Sequence, residues 1–247
     1  MKKYILFFVC AFAIVKAQAQ SGFNYYEFGV GAGVSYGRAF ADLKKENYHP
    51  AVNLNVAYNY SPFLPITLQV DKGVFSGGGR TKDLDASGRI YSNSYLSLNL
   101  HIDLQAGEII DYQDSQFLNA VKNFYVGTGL GFVKNHMTDI QRTNLIIENG
   151  PIGVTGGLEG KTNSINLMVP LRIGYEFKIF DDYDQPRYAI NIGYQHIYTF
   201  SEGLDGYNDD PSLFKNNALD QYAQVTIGFK YNFGNTTAYT KLIRNFR

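Results

Sequence analysis

The stretch Ala223-Gln-Val-Thr-Ile-Gly-Phe-Lys-Tyr-Asn-Phe233 alternates apolar with polar residues at period two. Successive side chains of a β-strand point to opposite faces, so Val225, Ile227 and Phe229 share one face, and Gln224 and Lys230 share the other. The same pattern recurs over 25–36, 51–60, 66–75, 91–104, 124–136, 165–179 and 188–200, and with 222–233 this makes eight strands.

Segments of about ten residues match the span of a tilted strand across a bilayer. An even strand number allows antiparallel closure, and short turns mark the periplasmic end of such barrels. The expected fold is all-β: an eight-stranded antiparallel transmembrane β-barrel, an up-and-down meander with short periplasmic turns and long extracellular loops. The short connections are 61–65 and 180–187, and the long ones are 37–50, 76–90, 137–164 and 201–221. Residues 105–123 form a longer periplasmic connection. A packed turn is its preferred reading, with a short helix capped by Asp114 or Ser115 as the alternative.

The N-terminus sets the compartment. Lys2 and Lys3 precede an apolar run, 4–15, that ends at the small-residue site Ala17-Gln18-Ala19. This is the pattern of a secretory signal peptide, so the expected organisation is a signal over 1–19, a barrel domain over 20–233 and a periplasmic tail over 234–247. The only cysteine, Cys10, falls in the signal, which leaves no disulfide or thiolate metal site. Without Lys2, Lys3 and Lys16, 19 of the 22 basic residues face 22 acidic ones. That balance gives no footprint for nucleic acid.

The lipid-facing set reads Phe28, Val30, Ala32, Val34; Val52, Leu54, Val56, Tyr58; Leu96, Leu98, Leu100, Ile102; Leu167, Val169, Leu171, Ile173; Ile190, Ile192, Tyr194; Val225, Ile227, Phe229. None is charged. Lys72 falls in the same outward phase, and a bulge near Gly73 is expected to turn it inward. Aromatic residues near the strand ends suggest two interfacial girdles. The lower one holds Tyr60, Phe63, Tyr175, Phe177, Phe180, Tyr231 and Phe233, and the upper one Tyr36, Tyr91, Tyr95, Phe132, Tyr198 and Phe200.

The opposite face gathers Glu27, Asp71, His101, Asp103, Arg172, Glu176 and Lys230 among amides. An eight-stranded barrel is just wide enough for its own side chains, so these groups are expected to pair into a polar lumen network and plug the core. Glycines at 29, 31 and 33, and at 127, 129 and 131, share the inward phase and leave room for long side chains. Their Gly-x-Gly-x-Gly spacing opens no helix, which weighs against a phosphate loop.

Signal peptide, strand count, glycine alternation and the closing Tyr231-Asn232-Phe233 resemble the small outer-membrane β-barrel proteins, including OmpA-like and PorT-like barrels. The resemblance implies the outer membrane of a Gram-negative bacterium, with outer-membrane lipid and lipopolysaccharide as surroundings. It also implies the barrel-assembly machinery as a partner in biogenesis, with Tyr231 and Phe233 as a possible assembly signal. For PorT-like barrels it implies an association with protein secretion through an envelope protein partner. A soluble lipocalin-like barrel, apolar face inward, uses the same alternation and remains open.

No cofactor, metal or catalytic residue is expected. Asp205, Asn208, Asp209 and Asp210 miss the EF-hand spacing, and the histidines lack a helical zinc pattern. His101 with Asp103, or His196 with Ser201 and Glu202, invites an acid–base reading, but a structural network is preferred for the first and chance proximity for the second. The favoured function is a non-enzymatic, monomeric surface scaffold, anchor or binding protein. The alternatives are a PorT-like secretion component and a small-molecule porin or lipid-modifying enzyme.

Overall fold

The computed structural model describes residues 24–81, 83–85, 88–113, 115–142, 160–207, 219–239 and 241. The signal-peptide reading over 1–19, Cys10, Asp114, Asn208, Asp209, Asp210 and the end of the tail lie outside these residues.

The strands are β1 (Asn24–Phe40), β2 (Glu46–Asn47), β3 (His49–Ser61), β4 (Leu64–Gly78), β5 (Ile90–Gln105), β6 (Phe124–Ile140), β7 (Asn163–Phe180), β8 (Pro186–Thr199) and β9 (Gln221–Ala238). Eight of them pair antiparallel in chain order, and β1 pairs with β9 to close the ring. The two-residue β2 pairs with β4 near the extracellular rim, outside the ring. Each expected strand is present, and β1 and β6 run further into the extracellular side than the alternation alone indicated. The β6–β7 ladder skips the positions around Pro170, which has no amide to donate.

Two devices make the short periplasmic turns. The β3–β4 connection is only Pro62 and Phe63. In the β7–β8 turn the Asp181 carboxylate accepts the amides of Tyr183 and Gln185, both at 3.0 Å, and Asp184 adopts the left-handed φ of 57° that aspartate tolerates. In 105–123, Ala106–Glu108 form a 3₁₀ turn and Gln116–Val121 form α1, with the Ser115 hydroxyl accepting the Leu118 amide at 3.4 Å. The helix alternative therefore holds, with Ser115 as its cap.

Every residue of the expected lipid-facing set is exposed except half-buried Val169. With the apolar side chains outside and the polar ones inside, the molecule is a transmembrane β-barrel, and the inverted soluble arrangement is excluded. Among the described residues no helix is long and apolar enough to cross a membrane.

Three expectations need correction. No bulge forms at Gly73: the β4–β5 ladder runs unbroken through it and the β3–β4 ladder keeps its register up to it, Lys72 stays outward, and its Nζ donates to Ser94 Oγ at 2.8 Å. At mid-bilayer such a lysine would cost roughly 2–4 kcal/mol, falling towards zero at the interface. Phe63, Tyr91 and Tyr95 are not girdle residues, being buried inside the barrel. The last strand does not stop at Phe233. It passes Gly234, whose φ of 99° suits glycine, and re-pairs with β1 through Thr236, Thr237 and Ala238 beyond a bulge at Tyr26/Phe28.

Candidate functional site

The lumen is built in layers, each set by the inward parity of the strands. In the middle, Arg172 of β7 donates to Asp103 of β5 at 3.0 Å and to Gln195 of β8 at 2.8 Å. His101 Nε2 lies 3.6 Å from the other Asp103 oxygen, and its Nδ1 is 2.7 Å from Asn99 Oδ1. Asp71 of β4 accepts from Gln69, Ser97 and Asn99 at 2.8, 3.1 and 3.3 Å. Below, Lys230 pairs with Glu176 at 2.8 Å, while Lys178 reaches Gln105 at 2.6 Å and the Pro62 carbonyl at 2.5 Å.

The structure thus brings together Asp71, His101, Asp103, Arg172, Glu176 and Lys230. Glu27 stands apart at the periplasmic end, half-buried and accepting from Thr237 at 3.0 Å. Charge pairing, and for Asp71 hydrogen bonds from two amides and a hydroxyl, is what lets these groups sit in a narrow core, since an uncompensated buried charge is costly. A cavity of about 60 Å³ remains between the layers, lined in part by Asn53, Thr67, His101, Arg172 and Glu176, with room for a few waters.

The inward glycines receive neighbouring side chains at close range. A Cβ at Gly127 would collide with the Asp103 carboxylate, and one at Gly31 would come within 2.6 Å of Asn55. At Gly174 and Gly193 the space is filled by the Tyr125 hydroxyl, which donates to Asn191 at 3.0 Å.

Above the charged layers the lumen turns apolar. Phe75 and Tyr95 stack with centroids 4.4 Å apart, Tyr222 packs on both, and Tyr91, Met168 and Ile197 complete the cluster. Sequence reading missed this layer, although the signal was present: Tyr91 and Tyr95 share the parity of Asn99, His101 and Asp103.

The start of the β8–β9 loop then folds back into the mouth. Leu204 is fully buried, its amide donating to Asp220 at 2.7 Å and its carbonyl accepting from Asn93 at 2.8 Å. Gly206 turns the chain at φ 79°, and the Tyr207 hydroxyl lies 2.6 Å from the Gln141 carbonyl and 2.9 Å from that of Ile90.

The floor is closed as well. Phe63 is fully buried, with the rings of Tyr112 and Tyr239 edge-on at 5.5 and 5.6 Å and the Lys178 ammonium 4.2 Å from its centroid. Glu108 accepts from Ser61 at 2.5 Å, and Lys241 donates to the Ile110 carbonyl at 2.6 Å. Part of the expected tail is thereby packed under the barrel.

The mouth plug carries a titratable cluster. Asp205 and Asp220 are nearly fully buried. Burial, together with the carboxylates of Asp42 and Glu202, pushes Asp205 up to about 7 despite Arg89. Burial and the neighbouring Asp205 raise Asp220, and the same two causes bring Glu46 to about 8, opposed by the Tyr91 hydroxyl that donates to it.

A released loop returns these carboxyls to the ordinary range near 4, so the seated loop holds protons that the released one has lost. Its advantage is full below about pH 4, declines as pH rises, and is gone above about pH 8. Amide hydrogen exchange at Leu204 and Tyr207, corrected for the intrinsic pH dependence, is expected to accelerate between about pH 4 and about pH 8 and to level off above that. Asp205→Asn with Asp220→Asn is expected to flatten that change; an unaltered profile in the double variant would contradict the assignment.

Neither histidine grouping forms a free catalytic set. Asp103 is engaged by Arg172, and both nitrogens of His196 are committed, to Gln221 at 2.7 Å and Tyr194 at 3.2 Å. Among the described residues no three potential metal ligands gather, and Asp205 accepts the Tyr207 amide at 3.0 Å. Tyr231 and Phe233 lie near the periplasmic end, their rings 6.1 Å apart.

An apolar belt around a filled polar lumen defines the class: a small, closed integral β-barrel. Among solved structures the chain is similar to Neisserial surface protein A, at 11% identity over 87% of this chain and 100% of that one, with a TM-score of 0.45. It is similar to Ail, the attachment invasion locus protein of Yersinia pestis, in complex with the heparin analogue sucrose octasulfate (14%, 87% and 100%, TM-score 0.42). It is also similar to the outer membrane protein AlkL in DMPC lipid bilayers (13%, 90% and 97%, TM-score 0.44). No protein-family model and no curated protein sequence matches the chain.

Proposed function

We propose that this chain is a non-enzymatic integral outer-membrane barrel that acts at the cell surface as a scaffold, anchor or binding protein. The supporting observation is the lumen. A channel needs a continuous aqueous path, but here ion pairs, stacked aromatics and Leu204 fill the bore, and Phe63 fills its floor. The part left to meet a partner is the set of long extracellular connections. Closure of the ring removes free strand edges, so a monomer is sufficient. Tyr231 and Phe233 serve as the signal for the barrel-assembly machinery.

One observation favours the PorT-like reading, with an envelope protein partner. Phe117 on α1 is 72% exposed on the periplasmic side, and a large exposed aromatic suits a protein contact. Photo-cross-linking on intact cells, from residues in the extracellular loops and from position 117, separates the two readings. Surface partners captured only from the loops support the scaffold. A stoichiometric periplasmic partner captured from position 117 supports the secretion component. Release of the protein by a carbonate wash would refute the integral barrel itself.

A further inference from the structure

Lys72 and Lys134 are exposed on the lipid side of adjacent parts of the wall. Lys72 on β4 pairs with Leu96 on β5, Leu96 pairs with Lys134 on β6, and Lys134 pairs with Ile165 on β7. The two lysines therefore flank one leucine in a single outward row, about 10 Å apart at two interstrand spacings.

The row sits at a change of polarity. Immediately below it run Val70, Leu98, Phe132 and Leu167, all exposed and apolar. Immediately above it run Val74, Ser94, His136 and Asn163. Lys72 lies eight residues beyond the start of β4 at Leu64, which at the usual rise and tilt is about 20 Å along the barrel axis. An apolar band of about 25 Å ends close to that height. Both ammonium groups thus stand at the boundary between acyl chains and headgroups in the outward leaflet.

Among the described residues no carboxylate meets their charges: Lys72 donates only to Ser94, and none lies within ion-pair distance of either lysine. The opposite sector differs. There Arg38 stacks over Phe40 and Tyr48 at 4.6 and 5.2 Å, and His196 is held by Gln221 and Tyr194. The cation of that sector lies over aromatic rings, whereas among the described residues Lys72 and Lys134 lie over none.

We infer that Lys72 and Lys134, with Ser94 and His136 above them, form a docking site for the phosphates of a phosphorylated glycolipid in the outer leaflet. This deepens the outer-membrane reading and rests on it. Two ammonium groups with this separation reach either two phosphates of one headgroup or both sides of a single phosphate, while Leu96 and Phe132 lie against its acyl chains. Charge-assisted contacts at the headgroup level also account for lysines in an otherwise uncharged belt.

Native mass spectrometry of the full-length folded protein in detergent tests the site, with bisphosphorylated lipid A, its dephosphorylated form and inorganic phosphate as probes. Lipid A is expected to bind wild type at least roughly tenfold more tightly than the Lys72→Gln/Lys134→Gln variant. Lys72→Arg with Lys134→Arg is expected to retain binding, and inorganic phosphate alone to leave no adduct. Equal affinity of wild type for the dephosphorylated lipid, or equal lipid A affinity in the glutamine variant, would overturn the proposal. The wild-type comparison of the two lipids stands whether or not a variant folds. Either negative result leaves the integral barrel intact, since that reading is decided by the carbonate wash.

Discussion

Arg172→Met is expected to cost the barrel about 3–5 kcal/mol, read as a lower urea midpoint in detergent micelles. The chain has no tryptophan, so far-UV circular dichroism is the suitable probe. The magnitude follows from what stays behind. Methionine nearly matches the arginine stem in volume, but it leaves Asp103 with only the imidazole of His101 at 3.6 Å. An orphaned buried charge is the expensive half of a broken pair. Asp71 also loses a nearby cation, having only uncharged hydrogen-bond donors of its own. The double variant Arg172→Met/Asp103→Asn is expected to recover most of the loss, because removing both charges leaves little uncompensated. A single variant as stable as wild type would show that the lumen charges are solvated rather than paired.

Phe63→Ala is expected to cost a similar amount, about 3–5 kcal/mol, as for other fully buried aromatics. The ring is the one large apolar group common to the β3–β4 turn, residue Tyr112 of the 105–123 segment and residue Tyr239 of the tail. It also supports the Lys178 ammonium, a cation–π contact that alanine removes. Gly107 packs directly on the ring face, so truncation opens a void that the rigid turn cannot close. Limited proteolysis is expected to cut the variant within 105–123 while leaving the strands protected. Phe63→Leu should lose far less. If Phe63→Ala left both stability and protease resistance unchanged, the floor would not be a packed element.

How much of this was legible in the sequence follows from what determines each feature. Period two is a local backbone property, so the strands, the lipid-facing set and most of the lumen network could be read from parity alone. Features that depend on partners far along the chain could not. Tyr91 and Tyr95 were drawn to the rim by their position near a strand end, yet parity turns them inward against Phe75 and Tyr222. Leu204 stands in a polar loop, and nothing nearby announces that it will be buried. That follows from the Asp220 and Asn93 hydrogen bonds that hold it. Lys72 was expected to turn inward because a lysine on lipid is costly. The structure keeps it outward at the interface, where that cost is small. Glu27 shares the alternation of the lumen residues, but the bulge at Tyr26/Phe28 leaves it beside Thr237.

Single-channel recording of the purified protein in a planar bilayer tests the central claim, that this barrel is closed along its bore, most directly. With Phe63 below, the Asp103–Arg172 and Glu176–Lys230 pairs in the middle and Leu204 above, the expected trace at neutral pH is flat, without steady openings. Large, stable unitary currents from pure protein would contradict it.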